Sequence, residues 1–155
     1  MSTSEPTAPP RAPATAFEVA ERVRWADVDL VGIVRYSAYT RFLDVAEAEL
    51  LRAAGLSHPD MLEAFGVWLV RRVLHLEYHA PARYDVLLRV RAWVGRVGRS
   101  SLTLHFEICD EADAVRHATG HLVLVTVDAS TMASRPLPAD IPERLTAYRD
   151  DGRGA

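Results

Sequence analysis

The stretch "WADVDLVGIVRYSAYTRFLDVAEAELLRAAG", Trp25 to Gly55, changes its hydrophobic period partway along, and that change decides the fold. From Ser37 onward, Tyr39, Phe42, Leu43, Ala46, Leu50 and Ala53 recur at helical spacings. They predict one long amphipathic helix, with Ser37 as its N-cap and Gly55 as its stop. Before it, "FEVAERVRW" alternates, placing Phe17, Val19, Val23 and Trp25 on one side of an extended chain. Between strand and helix lie Asp27, Asp29 and Gly32, two carboxylates and a turn former at the edge of the expected core.

Downstream, "SHPDMLEAF" predicts a short second helix, capped by Ser57, with Pro59 in its first turn and Gly66 closing it. Four stretches near period 2 follow: "VWLVRRVLHLEYHA", "YDVLLRVRAWVGRV", "RSSLTLHFEICDE" and "VRHATGHLVLVTVD". Pro81, the segment from Gly95 to Gly98 and an acidic turn around Asp113 separate them. These connectors are too short for a parallel crossover, which takes about a dozen residues or more, so the strands run antiparallel. One long helix against one antiparallel sheet of five strands makes an α+β two-layer domain. The expected organisation is a flexible Pro- and Ala-rich tail at 1–16, a domain at 17–128 and a Pro-rich extension at 129–155 with a helical turn from Pro142.

Composition narrows the function classes. A chain of 155 residues that is 49% hydrophobic suits a single domain. With 18 basic against 21 acidic side chains and no basic cluster, it lacks a nucleic-acid footprint. No apolar run reaches the roughly 20 residues that span a bilayer, and the N-terminus lacks the apolar core of a secretory signal. The single cysteine, Cys109, reads as a buried strand thiol. A cytoplasmic location follows as the expectation.

The element order and "WADVDLVGIVRYSAYTRFLD" together resemble the hotdog-fold acyl-CoA thioesterases of the 4-hydroxybenzoyl-CoA thioesterase type. That pattern is an aromatic residue, a D-x-D-x-x-G turn, a hydrophobic pair, an aromatic residue, x-x-Y, an Arg and an acidic helix position. Trp25, Asp27, Asp29, Gly32, Ile33, Val34, Tyr36, Tyr39, Arg41 and Asp44 fit it. A second similar stretch is "LEYHAPARYDVLLRV", and the resemblance covers roughly Phe17 to Val127. It implies a hotdog fold, a five-stranded antiparallel sheet wrapped around one long central helix.

The resemblance also implies that Asp29 is the catalytic carboxylate, as nucleophile or as general base, and that the backbone N–H of Tyr36 polarises the thioester carbonyl. Chemistry permits both roles, since a carboxylate can attack or activate water and free amides at a helix start stabilise an oxyanion. Gly32 lets the chain turn sharply near substrate. Asp27 caps or braces the turn. Where relatives often carry His or Asn, this chain has Ser37, and Arg35 replaces an uncharged residue; with Val34 and Asp44, both are candidate substrate contacts. The hairpin "GRVGRSS" offers Arg96, Arg99 and Ser100 for phosphate oxygens, in the region that meets the nucleotide end of coenzyme A in the resembling family.

Other constellations carry less. His75, Glu77 and His79 share one face of a strand, but no second ligand motif such as H-E-x-x-H accompanies them, so no metal site is expected. No G-x-S-x-G elbow supports a serine triad. The helix carboxylates Asp44 and Glu47 are the rivals to Asp29, because a second thioesterase type uses a helix Glu. The reading is a cofactor-independent thioesterase acting on an acyl-CoA or acyl carrier protein thioester, as a homodimer or homotetramer. The alternatives are a hydratase or dehydratase of the same fold and a non-catalytic acyl-binding subunit.

Overall fold

The computed structural model describes residues 9–150. Strand β1 (Phe17–Arg22) leads through two 3-10 turns, Trp25–Asp27 and Tyr36–Ala38, into helix α1 (Tyr39–Ala53) and then α2 (His58–Phe65). Strands β2 (Val67–Tyr78), β3 (Leu87–Val97), β4 (Ser101–Asp110) and β5 (Arg116–Asp128) follow, and α3 (Asp140–Arg144) lies near the C-terminus. The five strands form one sheet in the order β1-β3-β4-β5-β2, with every neighbouring pair antiparallel. This is the hotdog arrangement of a long helix against a five-stranded sheet, and it leaves β1 and β2 as the edges.

Alternation places the core. Leu88, Val90, Ala92 and Val94 of β3 and Leu102, Leu104, Phe106 and Ile108 of β4 pack in one cluster with Tyr39, Phe42, Leu43, Ala46, Leu50 and Leu51 of α1. Two positions of the helix depart from its expected stripe. Ala53 faces solvent, and Glu47 occupies a core position at 0% exposure.

Helix α1 starts differently from the sequence expectation. Ser37 is not its N-cap, because a 3-10 turn precedes the α-helix and Ser37 lies inside that turn, its carbonyl accepting the Thr40 hydroxyl at 2.8 Å. The C-terminus follows the expectation. Gly55, at φ +70°, donates to the Arg52 carbonyl at 3.0 Å, and Leu56 donates to Leu51 at 2.8 Å while its side chain is buried. These two bonds satisfy the last carbonyls of the helix. In α2, Ser57 Oγ accepts the Asp60 N–H at 3.4 Å and Gly66 closes the end in the left-handed region. Trp25 also departs: it sits in a 3-10 turn, exposed, with its ring edge-on to Tyr84 at 5.5 Å.

Both flanking segments pack on the domain. Arg116 donates to the Pro9 and Pro10 carbonyls at 3.2 and 2.9 Å, and Ala12 N–H donates to Glu107 at 3.4 Å. The described part of the expected tail is thus tied to β4 and β5; residues 1–8 lie outside the described residues. After β5, Ile141 and Leu145 enter the core cluster fully buried. Cys109 is buried on β4. Among the described residues, no helix is long and apolar enough to cross a membrane.

Candidate active site

The site begins where β1 ends. Asp27 is 4% exposed, and its carboxylate accepts the Arg24 N–H at 2.8 Å and Arg41 Nε at 3.0 Å. Arg41 also donates to Glu21 at 2.8 Å, which ties α1 to β1. Burial by itself pushes the Asp27 carboxyl up, but the hydrogen bonds from Arg41 and the Arg24 amide outweigh it and hold the group below its ordinary value. The Asp27 carbonyl accepts the Arg35 N–H at 2.9 Å, fixing the point where the chain returns to start the helix.

Between those anchors the chain makes a tight loop. Asp29 N–H donates to the Ile33 carbonyl and Gly32 N–H to the Asp29 carbonyl, each at 3.0 Å. Gly32 has φ +80°, and a Cβ there would meet nothing within 4 Å, so the dihedral rather than crowding selects glycine. Asp29 Oδ1 accepts the Val31 N–H at 2.9 Å, and the residue is exposed. Val34 N–H donates to the Ala82 carbonyl at 2.8 Å, pinning the loop to the β2–β3 connection.

This folding opens a cleft of 430 Å³ lined by Asp29, Ile33, Val34, Arg35, Tyr36, Tyr39, Tyr78, His79, Ala80 and Pro81. The Tyr78 hydroxyl donates to the Tyr36 carbonyl at 3.2 Å, and its ring lies edge-on to Tyr39 at 5.1 Å. The amides of Tyr36 and Ser37 open the helical run and donate in none of the described hydrogen bonds. Burial raises the Tyr39 phenol above its ordinary value. Asp29, Val34, Arg35 and Tyr36 are therefore brought together, while Gly32 lines the other side of the Asp29 loop with Trp25, Leu30 and Tyr84.

Other expected residues lie elsewhere. Asp44 lines a second cavity of 590 Å³ with Thr40, Arg41, Leu43, Glu47, Arg71, Arg72, Val73, Leu74 and Leu122. Arg71 Nη2 donates to Asp44 Oδ1 at 3.0 Å and lies 3.0 Å from Glu47 Oε2. Burial pushes the Glu47 carboxyl up, and Arg71 only partly offsets it. Arg96, Arg99 and Ser100 flank the β3–β4 turn, while β3 is 11 residues long and Arg22, which leads into the Asp29 loop, pairs with its first residue, Leu87. At about 3.3 Å per residue the two ends stand roughly 33 Å apart. One protomer thus does not bring the hairpin to Asp29.

His79 is the cleft residue whose role the sequence did not announce; its Nε2 lies 2.7 Å from Thr119 Oγ1. Only the packing of the end of β2 against the loop places it beside Asp29. His75 instead pairs with Glu77 at 2.9 Å, and no His, Cys, Asp or Glu group among the described residues is arranged to hold a metal.

The family model of the thioesterase-like superfamily matches residues 23–146, from the end of β1 to the last helical turns. The chain belongs to this superfamily. It is similar to the acyl-CoA thioester hydrolase YbgC of Escherichia coli O157:H7, 30% identical over 127 residues that span 82% of this chain and 93% of the relative. Among solved structures, Slr0204, a 1,4-dihydroxy-2-naphthoyl-CoA thioesterase from Synechocystis, superposes with TM-score 0.77 at 19% identity, covering 84% of this chain and 96% of that one. A DHNA-CoA thioesterase from Staphylococcus aureus superposes with TM-score 0.75 at 23% identity, covering 86% and 88%. These two establish the shared fold. As a member of the superfamily, the protein is a thioester hydrolase.

Proposed function

We propose that the protein hydrolyses an acyl thioester of coenzyme A, or of an acyl carrier protein, to free acid and thiol, with Asp29 as the acting carboxylate. The carrying observation is the division of labour between the two aspartates. Asp27 is buried and held by Arg41, whereas Asp29 is exposed in a cleft that Tyr36, at the helix start, also lines. The similarity to YbgC, an acyl-CoA thioester hydrolase, supports the substrate class.

With the acyl carbonyl oxygen against the Tyr36 amide, negative charge developing on that oxygen is stabilised by the N–H and the start of the helix. As general base, Asp29 takes a proton from water while the water oxygen bonds to the carbonyl carbon; the intermediate then collapses, the C–S bond breaks and the thiolate leaves with the proton. As nucleophile, Asp29 bonds to the carbonyl carbon directly, the thiolate leaves, and water hydrolyses the resulting anhydride. Both routes yield one acid and one thiol.

The active form in this reading is at least a dimer, joined along the free edge of β2. The phosphate-holding role of Arg96, Arg99 and Ser100 then falls to a copy other than the one supplying Asp29. A cytoplasmic location accords with the single buried cysteine. His79 in the Asp29 cleft favours a second reading, a hydratase or dehydratase, because such a lyase needs an imidazole near its carboxylate.

Thiol release from a panel of acyl-CoAs tests the two together. Asp29→Asn keeps the acceptor for Val31 N–H but loses base and nucleophile, so turnover falls by about 10² to 10⁴. Near-normal thiol release by Asp29→Asn would sink the assignment, and acyl-chain hydration without thiol release would establish the lyase.

A further inference from the structure

Two cavities flank α1 along β2, and they sit on opposite sides of one point on that strand. The Asp29 cleft meets the strand at Tyr78 and continues to Pro81, whereas the larger cavity meets it from Arg71 to Leu74. β2 is an edge strand, and from Arg71 to His79 every residue except Leu76 is exposed, Val73 and Leu74 at 43% and 46%. An unpaired strand edge of this length is a template for strand addition. Antiparallel pairing with the same edge of a second copy, about a two-fold axis near His75, sets Arg71 of one copy close to His79 of the other. The larger cavity of each copy then continues the Asp29 cleft of its neighbour.

At the base of that larger cavity lies Glu47. Its side chain is fully buried, and neither carboxylate oxygen has a hydrogen-bond partner among the described residues, Arg71 Nη2 lying 3.0 Å from Oε2 as an ion pair. A buried oxygen left unpaired is costly, so a ligand that supplies the missing donor is favoured over one that does not. The surrounding wall of Leu43, Val73, Leu74 and Leu122 suits the apolar remainder of an acyl group. Three arginines, Arg41, Arg71 and Arg72, face two carboxylates, Asp44 and Glu47, in this cavity, and that balance disfavours a cationic donor and favours a neutral one.

We propose that Glu47, presented across the β2 seam by a second copy, selects the acyl group by accepting a hydrogen bond from a hydroxyl or amide N–H on the acyl portion held over Asp29. This inference rests on the thioester-hydrolase reading of the Asp29 cleft. Glu47 is a specificity-determining residue here, and the bond that breaks remains the C–S bond next to Asp29.

The test compares kcat/KM for linear acyl-CoAs that differ only in a terminal hydroxyl or methyl group, across several chain lengths. At the best-fitting length, wild type prefers the hydroxylated member by about 10- to 100-fold, the scale of one buried hydrogen bond. Glu47→Leu reduces the preference to about twofold or less, whereas Glu47→Gln, which keeps an acceptor oxygen, retains about tenfold. Equal preferences in wild type and Glu47→Leu, or no preference in wild type at any length, overturn the proposal while hydrolysis itself upholds the Asp29 reading. No hydrolysis of any thioester removes both.

A mixed dimer tests the seam. Subunits carrying Asp29→Asn and Glu47→Leu, purified together on two affinity tags, place a native Asp29 and a native Glu47 in one site only if they act across the interface. Recovery of the wild-type preference in the mixed dimer supports that arrangement. A working site that still shows the Glu47→Leu ratio overturns it.

Discussion

Arg41 grips Asp27 with two nitrogens: Nε donates to Oδ1 at 3.0 Å and Nη2 donates to Oδ2. This pair joins the first turn of α1 to the loop after β1, whereas the neighbouring Asp29 is exposed and lines the adjacent cleft. One short motif thus holds one aspartate buried in an ion pair and the other exposed.

Asp27→Ala removes the acceptor of two Arg41 nitrogens and of the Arg24 N–H and leaves Arg41 with Glu21 alone as its carboxylate partner, so the variant loses about 1–3 kcal/mol of stability. Because the folded pKa lies below the ordinary 3.8, the carboxylate stabilises the fold above that pH. The contribution disappears as pH falls through the folded value. Urea melts from pH 7 down to pH 3 therefore show wild type and Asp27→Ala converging in acid; a constant gap would refute the ionised pair.

Glu47 has the opposite sign. Burial raises its folded pKa above 4.5, so its neutral form favours folding at low pH and stability is lost as pH rises from there through the folded value. Glu47→Gln removes that slope. The variant is at least as stable as wild type at pH 8, and its advantage shrinks toward pH 4. A thermal-melt series in which the wild-type and Gln curves stay parallel would contradict the burial account.

A carboxylate on the β2 edge opposes self-pairing, because it brings two like charges together at the two-fold seam. Leu74→Asp is expected to shift sedimentation at micromolar protein from dimer toward monomer and to lower thiol release by about tenfold or more. An intact dimer with undiminished turnover would place the assembly on another surface.

Gly120 lies opposite Leu76 in the β2–β5 ladder. A Cβ there would press into the His75 carbonyl oxygen and come within 2.8 Å of Leu76 Cδ2. Gly120→Ala must part the two strands locally, at a cost of about 1–3 kcal/mol. Circular-dichroism melting is expected to show Tm lowered by about 3–10 °C. An unchanged Tm would mean that the ladder yields at this point without loss.

Much of the architecture lay open in the sequence, since period and punctuation are local properties. The helical spacing from Tyr39 to Leu50, the stop at Gly55, the cap at Ser57 and the four alternating stretches all reappear as α1, α2 and β2 to β5. The helix start at Tyr39, after a 3-10 turn that takes in Ser37, and the exposure of Trp25 were less legible. A D-x-D-x-x-G loop can leave a strand in several geometries, and contacts with Arg41 and Ala82 choose among them.

Fold class, family and the motif with its two aspartates were legible from residues alone, because each is written in positions close together along the chain. Which aspartate is buried, the presence of Tyr78 and His79 at the Asp29 cleft, and the cavity that Glu47 lines with Arg71 emerged only from the packing. Those outcomes depend on desolvation and on contacts between segments distant in sequence, which no spacing of residues along a single segment encodes.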